Sequence, residues 1–121
     1  MATILIVEDE RFSVALLKEA LQRAGHKVSF ARNGAAGVAK VQKDRPDLVI
    51  MDLNMPEMTG WEAIRQLKAD PATGKIPILA LTSAQTSGDR DEAYGAGCDA
   101  FEEKPIDVPR ILGRIKELTG G

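Results

Sequence analysis

At 121 residues the chain has the length of one domain. With 44% hydrophobic and 28% charged residues it has the balance of a folded soluble protein, not of a disordered one. Its 16 basic and 18 acidic side chains leave a formal net charge of −2, which argues against a polyanion-binding surface and so against direct nucleic-acid contact. The single cysteine, Cys98, excludes an internal disulfide and fits a reducing compartment. No apolar run approaches the ~20 residues of a membrane span. The expectation is a cytoplasmic protein that folds without disulfide or structural metal.

Short apolar runs alternate along the chain with helical patterns. Ile4 to Val7 reads as a buried strand, followed by helical spacing in Val14, Leu17 and Leu21 that Gly25 is placed to end. Val28 and Phe30 alternate as in a short strand, which the turn pair Asn33-Gly34 closes. Val38 and Val41 mark a helix that must stop before Pro46. Leu48 to Met51 is the clearest central strand, and a polar loop containing Pro56 follows it. Thr59 and Glu62 have capping-box spacing, so a helix is predicted there that buries Trp61, Ile64 and Leu67. Asp70 to Gly74 reads as a loop and Ile78 to Leu81 as another buried strand. From Gln85 to Gly97 the apolar period is weak and three glycines intervene, which predicts a short, less stable helix. Ala100 and Phe101 begin a last strand ending at Lys104-Pro105. Asp107, with Pro109 in the first turn, caps a final helix that buries Ile111, Leu112, Ile115 and Leu118. Continuous apolar strands joined by helical crossovers predict an α/β fold, a parallel sheet covered on both faces.

Ligands of such sheets bind beyond the carboxyl ends of the strands. The first strand ends in Glu8-Asp9, the third in Asp52 and the fourth in Thr82, while the fifth leads to Lys104. Three carboxylates ~5 Å apart would repel by roughly 10 kcal/mol at an effective dielectric of ~20. Lys104 offsets part of that, and a hard divalent cation such as Mg²⁺, with Mn²⁺ as an alternative, offsets more. Asp52 stands alone at the end of the most central strand, so it is the candidate nucleophile toward phosphorus, with Glu8 and Asp9 as metal-site residues. Thr82 is placed to donate a hydrogen bond to an attached phosphoryl group. Cys98 and Trp61 read as packing residues and His26 as structural or superficial.

Four blocks, ILIVED at 4–9, DLVIMDLNMPEMTG at 47–60, ALTS at 80–83 and FEEKP at 101–105, occur in this order and spacing. In them the sequence resembles the response regulator receiver domains of two-component signalling, from Ile4 to Leu118. The resemblance implies a flavodoxin-like, doubly wound five-stranded parallel sheet with five helices and strand order 2-1-3-4-5. With no linker long enough to tether a second domain, the expectation is a single receiver unit over 1–121 with no output domain. By the same resemblance Asp52 is the phosphoacceptor of a partner histidine kinase or histidine phosphotransfer protein. Mg²⁺ would lie on Asp9, Asp52 and the backbone carbonyl of Asn54, with Glu8 acting mainly through water. Lys104 would contact the phosphoryl group, and its bond to Pro105 is expected to be cis. Thr82 and Phe101 would form the switch pair, Thr82 moving toward the phosphoryl group while the Phe101 ring turns inward. Asn54 and Ala84 occupy positions that tune dephosphorylation in similar domains. A downstream protein target would read the face made by the fourth helix, fifth strand and fifth helix. The chain would be a monomer or weak dimer and a phosphoacceptor, not a turnover enzyme.

Three other readings share this architecture. A flavodoxin-like cofactor binder would need a glycine- and hydroxyl-rich loop where Glu8-Asp9-Glu10 stands. An aspartate-nucleophile phosphatase would place a titrating acid at position 54, where Asn54 stands. A phosphorylation-independent interaction module would have no use for the full set Glu8, Asp9, Asp52, Thr82 and Lys104.

Overall fold

The computed structural model describes residues 2–55, 58–83 and 87–120. Pro56, Ala84 and Gln85, which the sequence reading uses, lie outside the described residues. Five strands alternate with five helices: β1 (Thr3–Val7), α1 (Arg11–Arg23), β2 (Lys27–Ala31), α2 (Gly34–Asp44), β3 (Leu48–Asp52), α3 (Gly60–Ala69), β4 (Ile78–Thr82), α4 (Ser87–Ala96), β5 (Ala100–Glu103) and α5 (Val108–Thr119). All pairings are parallel and the strand order is β2-β1-β3-β4-β5, as expected.

The two faces of the sheet carry separate cores, because successive strand residues point to opposite sides. Ile4, Ile6, Leu48, Ile50, Leu79 and Leu81 face α1 and α5, meeting Leu17, Leu21, Ile111 and Ile115. Leu5, Val7, Val49, Met51 and Ala80 face α2, α3 and α4, meeting Val41, Ile64, Leu67 and Ala93. β3 and β4 are buried throughout, whereas β2, at the edge, is mostly half-buried. No helix among the described residues is long and apolar enough to cross a membrane.

Local details follow the sequence with instructive departures. Gly25, at φ +92°, lies just past α1, a conformation that side chains resist. Thr59 caps α3 by accepting from the Glu62 N–H at 3.3 Å, and Asp107 caps α5 through Arg110. Asn33-Gly34 is not a free-standing turn. Asn33 caps α2 by accepting from the Ala36 N–H at 2.8 Å, and Gly34 is already helical. Among the described residues of α4 only Ala93 and Ala96 are buried. Along these described residues the apolar anchorage is slight, in keeping with the thin apolar pattern of that segment. Cys98 is buried and its thiol is pushed up to about 11, chiefly by burial, which suits packing and disfavours thiolate chemistry.

α5 is tied to β5 by charge as well as by apolar contact. Buried Glu102 accepts from Arg110 Nε at 3.0 Å and from Arg114 Nε at 2.8 Å. Burial alone would raise the Glu102 carboxyl, but the two arginine bonds outweigh it and hold the group below its ordinary value. A depressed acid contributes stability that is present above its unfolded value and lost as pH falls through the folded one. Glu102→Gln is therefore expected to lose about 1–2 kcal/mol at pH 7. That deficit should close as the pH is lowered from 4.5 through the depressed folded value. Urea unfolding of both proteins from pH 7 to 3 checks this, and a deficit that persists at the acid end counts against it.

Candidate functional site

Strand register delivers the polar residues to one edge. Val7 pairs with Met51, Asp52 with Leu81 and Thr82 with Glu103, so the residues after β1, the last of β3, the last of β4 and the one after β5 are neighbours. The Lys104 N–H donates to the Thr82 carbonyl at 2.7 Å, which extends the β4–β5 pairing to the lysine. The Lys104–Pro105 bond is cis, as expected.

Glu8, Asp9 and Asp52 converge, and one carboxylate oxygen from each lies within 4.8 Å of the others. Glu8 and Asp52 are 2% and 3% exposed, whereas Asp9 is open to solvent. Lys104 Nζ lies 2.5 Å from Glu8 Oε1 and 3.8 Å from Asp52 Oδ2, bridging the two buried acids. Burial, with the neighbouring Asp52 as the next cause, raises the Glu8 carboxyl above its ordinary value despite Lys104. Burial draws the Lys104 ammonium down, but its bond to Glu8 and the charges of Asp52, Glu8 and Glu10 outweigh this and raise it. Buried negative charge thus remains in excess over the one cation among them, and the donors are all oxygen. This set suits a small hard divalent cation.

Thr82 is fully buried, and its hydroxyl donates to Asn54 Oδ1 at 2.7 Å. Phe101, 3% exposed, lies 6.5 Å from the Tyr94 ring between centroids. The ring expected to turn inward is already inside in this structure. The side chain of Asn54, a position expected from the resemblance to tune dephosphorylation but given no contact there, accepts from Thr82 and Ser83 while its backbone N–H donates to Asp52 Oδ1 at 3.1 Å. Glu10 was also not foreseen. It caps α1 beside the acids, accepting from the Phe12 and Ser13 N–H groups and the Ser13 hydroxyl, and the backbone bond from Ser13 foremost lowers its carboxyl. An acid in the cap position was visible in the sequence, yet next to Glu8-Asp9 it reads as part of the acidic run. A groove of about 320 Å³ opens beside Glu8 and Asp9, with Arg11, Lys18, Phe30 and Arg32 on its walls. His26 lies apart, its Nδ1 accepting from the Ala2 N–H at 3.0 Å.

Comparison with known proteins bears on this arrangement. Residues 4–116 match the family model described as response regulator receiver domain. The chain is 34% identical over 118 residues to the polar-differentiation response regulator DivK of Brucella anthropi, covering 98% of this chain and 96% of the relative. Its structure resembles the Vibrio cholerae chemotaxis protein CheY4, with 31% identity, a TM-score of 0.90 and 98% of each chain covered. It also resembles the receiver domain of the Pseudomonas aeruginosa sensor histidine kinase PA1611, with 27% identity, a TM-score of 0.92 and coverage of 99% and 98%. That structure is described as having a magnesium ion coordinated in the active site cleft.

Proposed function

This chain belongs to the response regulator receiver domain family, and we propose that within it Asp52 accepts a phosphoryl group from a phosphohistidine on a partner kinase or phosphotransfer protein. The observation that carries this reading is the buried Asp52 carboxylate standing within 4.8 Å of two further acids and 3.8 Å from the Lys104 ammonium. An Asp52 carboxylate oxygen attacks phosphorus as the phosphorus–nitrogen bond of the donor breaks, and the imidazole nitrogen keeps that electron pair. The product is an acyl phosphate, in which a phosphoryl dianion replaces the carboxylate charge, so the sheet edge gains about one negative charge and three acceptor oxygens.

Lys104 meets part of that charge, because its ammonium is held between Glu8 and Asp52 on the side where phosphoryl oxygens would lie. Glu8, Asp9 and Asp52, with the backbone carbonyl of Asn54, are the residues proposed to hold Mg²⁺, or Mn²⁺ in its place. A divalent ion bound there would neutralise the charge of the transferring group and of the acids around it. Burial of Glu8 and Asp52 keeps water from competing for the same oxygens. Thr82 and Phe101 are proposed to form the switch, with Thr82 donating to the new phosphoryl oxygens. The reaction leaves the receiver itself modified, so its output is a protein–protein contact on the α4, β5 and α5 face and not a released product. The proposed protein is a monomer or weak dimer, with no part for nucleic acid or membrane.

The test is intact-mass analysis after incubation with acetyl phosphate, with and without Mg²⁺. One added phosphoryl group, about 80 Da, formed only with Mg²⁺, is the expected result. Absence of the adduct, together with failure to bind beryllofluoride, would overturn the reading and favour a phosphorylation-independent interaction module.

A further inference from the structure

Asn54 touches both the proposed phosphoacceptor, Asp52, and the proposed switch residue Thr82. Its backbone N–H donates to Asp52 Oδ1 at 3.1 Å, and its side-chain Oδ1 lies 2.7 Å from Thr82 Oγ1 and 3.1 Å from the Ser83 nitrogen. The Ser83 hydroxyl is also within 3.5 Å. Which end of the amide faces these groups follows from chemistry, since a backbone N–H only donates and therefore requires the oxygen. With the oxygen so placed, the Thr82 hydroxyl must donate its single proton to Asn54. That proton cannot be given to a phosphoryl oxygen on Asp52 at the same time.

We propose that Asn54 is a positioning residue, a latch whose amide oxygen holds the Thr82 hydroxyl and the Ser83 N–H in the arrangement seen here and so opposes engagement of a phosphoryl group. The proposal rests on Asp52 being the phosphoacceptor. Its energetic content is a competition between two acceptors for one donor. A ligand shifts a two-state equilibrium only by its differential affinity for the two states, and the lost Asn54 bonds are subtracted from that difference. The latch also spans a strand end and the residue after it, since Thr82 ends β4 and Ser83 follows it. Rotation of one side chain therefore removes a bond from both the hydroxyl and the backbone next to it. Asn54 is exposed while Thr82 is buried, so the bond can be broken by rotation of a surface side chain without opening the core.

A residue that only caps the loop would alter stability without caring whether Thr82 carries a hydroxyl, and this separates the two roles. The experiment measures beryllofluoride affinity in saturating Mg²⁺ by calorimetry for the wild type, Asn54→Ala, Thr82→Val and the double variant. Asn54→Ala is expected to bind about 3- to 10-fold more tightly than wild type, the range of one net hydrogen bond. The same substitution in the Thr82→Val background is expected to change affinity less than twofold. A second readout uses no phosphoryl mimic: three-bond couplings to the Thr82 methyl carbon. They should report the same χ1 populations in the wild type and in Asn54→Asp, which keeps an acceptor oxygen, and altered populations in Asn54→Ala. Equal affinity changes in both backgrounds, or Thr82 χ1 populations in Asn54→Ala identical to wild type, would overturn the latch. If the wild type binds no beryllofluoride at all, the phosphoacceptor reading fails and takes the regulatory consequence with it, even where the couplings still respond.

Discussion

Asp52→Asn is expected to take up no phosphoryl group and, in metal-free buffer, to be more stable than the wild type by about 1–2 kcal/mol. Both effects come from one charge. Asp52 lies within 4.8 Å of Glu8 and Asp9 oxygens and 3.8 Å from Lys104 Nζ. At an effective dielectric of about 20, each acid repels it by about 3.5 kcal/mol and the ammonium attracts it by about 4 kcal/mol. Removal of the charge leaves a net relief of a few kcal/mol, from which the weakened bond to the Asn54 N–H takes about 1 kcal/mol. Saturating Mg²⁺ should reverse the order, because an ion that binds only the folded wild type adds to its stability by mass action and the amide is a poorer ligand. Urea unfolding of both proteins with and without Mg²⁺ gives the four values needed. A variant less stable than wild type in metal-free buffer, or equal stabilisation of both by Mg²⁺, would remove the argument that these acids are held together for a cation.

That trade between stability and chemistry is also why the sequence was so informative here. Strand ends in a parallel sheet can be located from apolar runs alone, and the residue following each run is then placed at one edge without further knowledge. Glu8, Asp9, Asp52, Thr82 and Lys104 were all found in this way, and the register puts them side by side. A stretch such as Leu48 to Met51 has only one comfortable environment, between two layers of helices, so its continuation into Asp52 is fixed by burial.

What sequence could not supply is the choice of partner made by a side chain once it arrives. Lys104 was expected to serve the phosphoryl group, and in this structure it bridges Glu8 and Asp52. The sequence assigns Asn54 a backbone ligand and a tuning position but no side-chain partner, whereas its amide oxygen faces two donors, on the last residue of β4 and the residue after it. Glu102 follows Phe101 in a strand and gave no signal, because its partners Arg110 and Arg114 lie one element later on a helix. Rotamers decide these pairings, and they are fixed by packing from several elements at once. The inward Phe101 belongs to the same class, since a period-2 pattern tells which face a strand residue points to but not how far its ring is covered.

Gly60→Ala is expected to destabilise the protein by about 3 kcal/mol, although alanine is the better helix former. Gly60 opens α3, and a Cβ built there would lie 2.4 Å from the Asp52 carbonyl oxygen, 2.6 Å from Leu53 Cα and 3.0 Å from the Asp52 carbonyl carbon. These are backbone atoms at and just past the end of a central strand, so neither side can yield by rotating a side chain. Either α3 moves out, loosening Ile64 and Leu67 from the core, or the chain at Asp52 moves. In both cases the Gly60 N–H bond to the Leu53 carbonyl, 3.3 Å, is strained. The substitution should therefore lower Mg²⁺ affinity as well as stability, which a remote core defect would not. Gly113→Ala supplies the contrast. Gly113 lies in α5 with nothing within 4 Å of its added Cβ, so helix propensity acts alone and a gain of about 0.5–1 kcal/mol is expected. Urea unfolding and Mg²⁺ titration of the two variants give opposite signs in stability and a metal effect in only one. Tolerance of alanine at position 60 would mean that α3 does not press on the Asp52 backbone, and that the end of β3 is less tightly clamped than this packing requires.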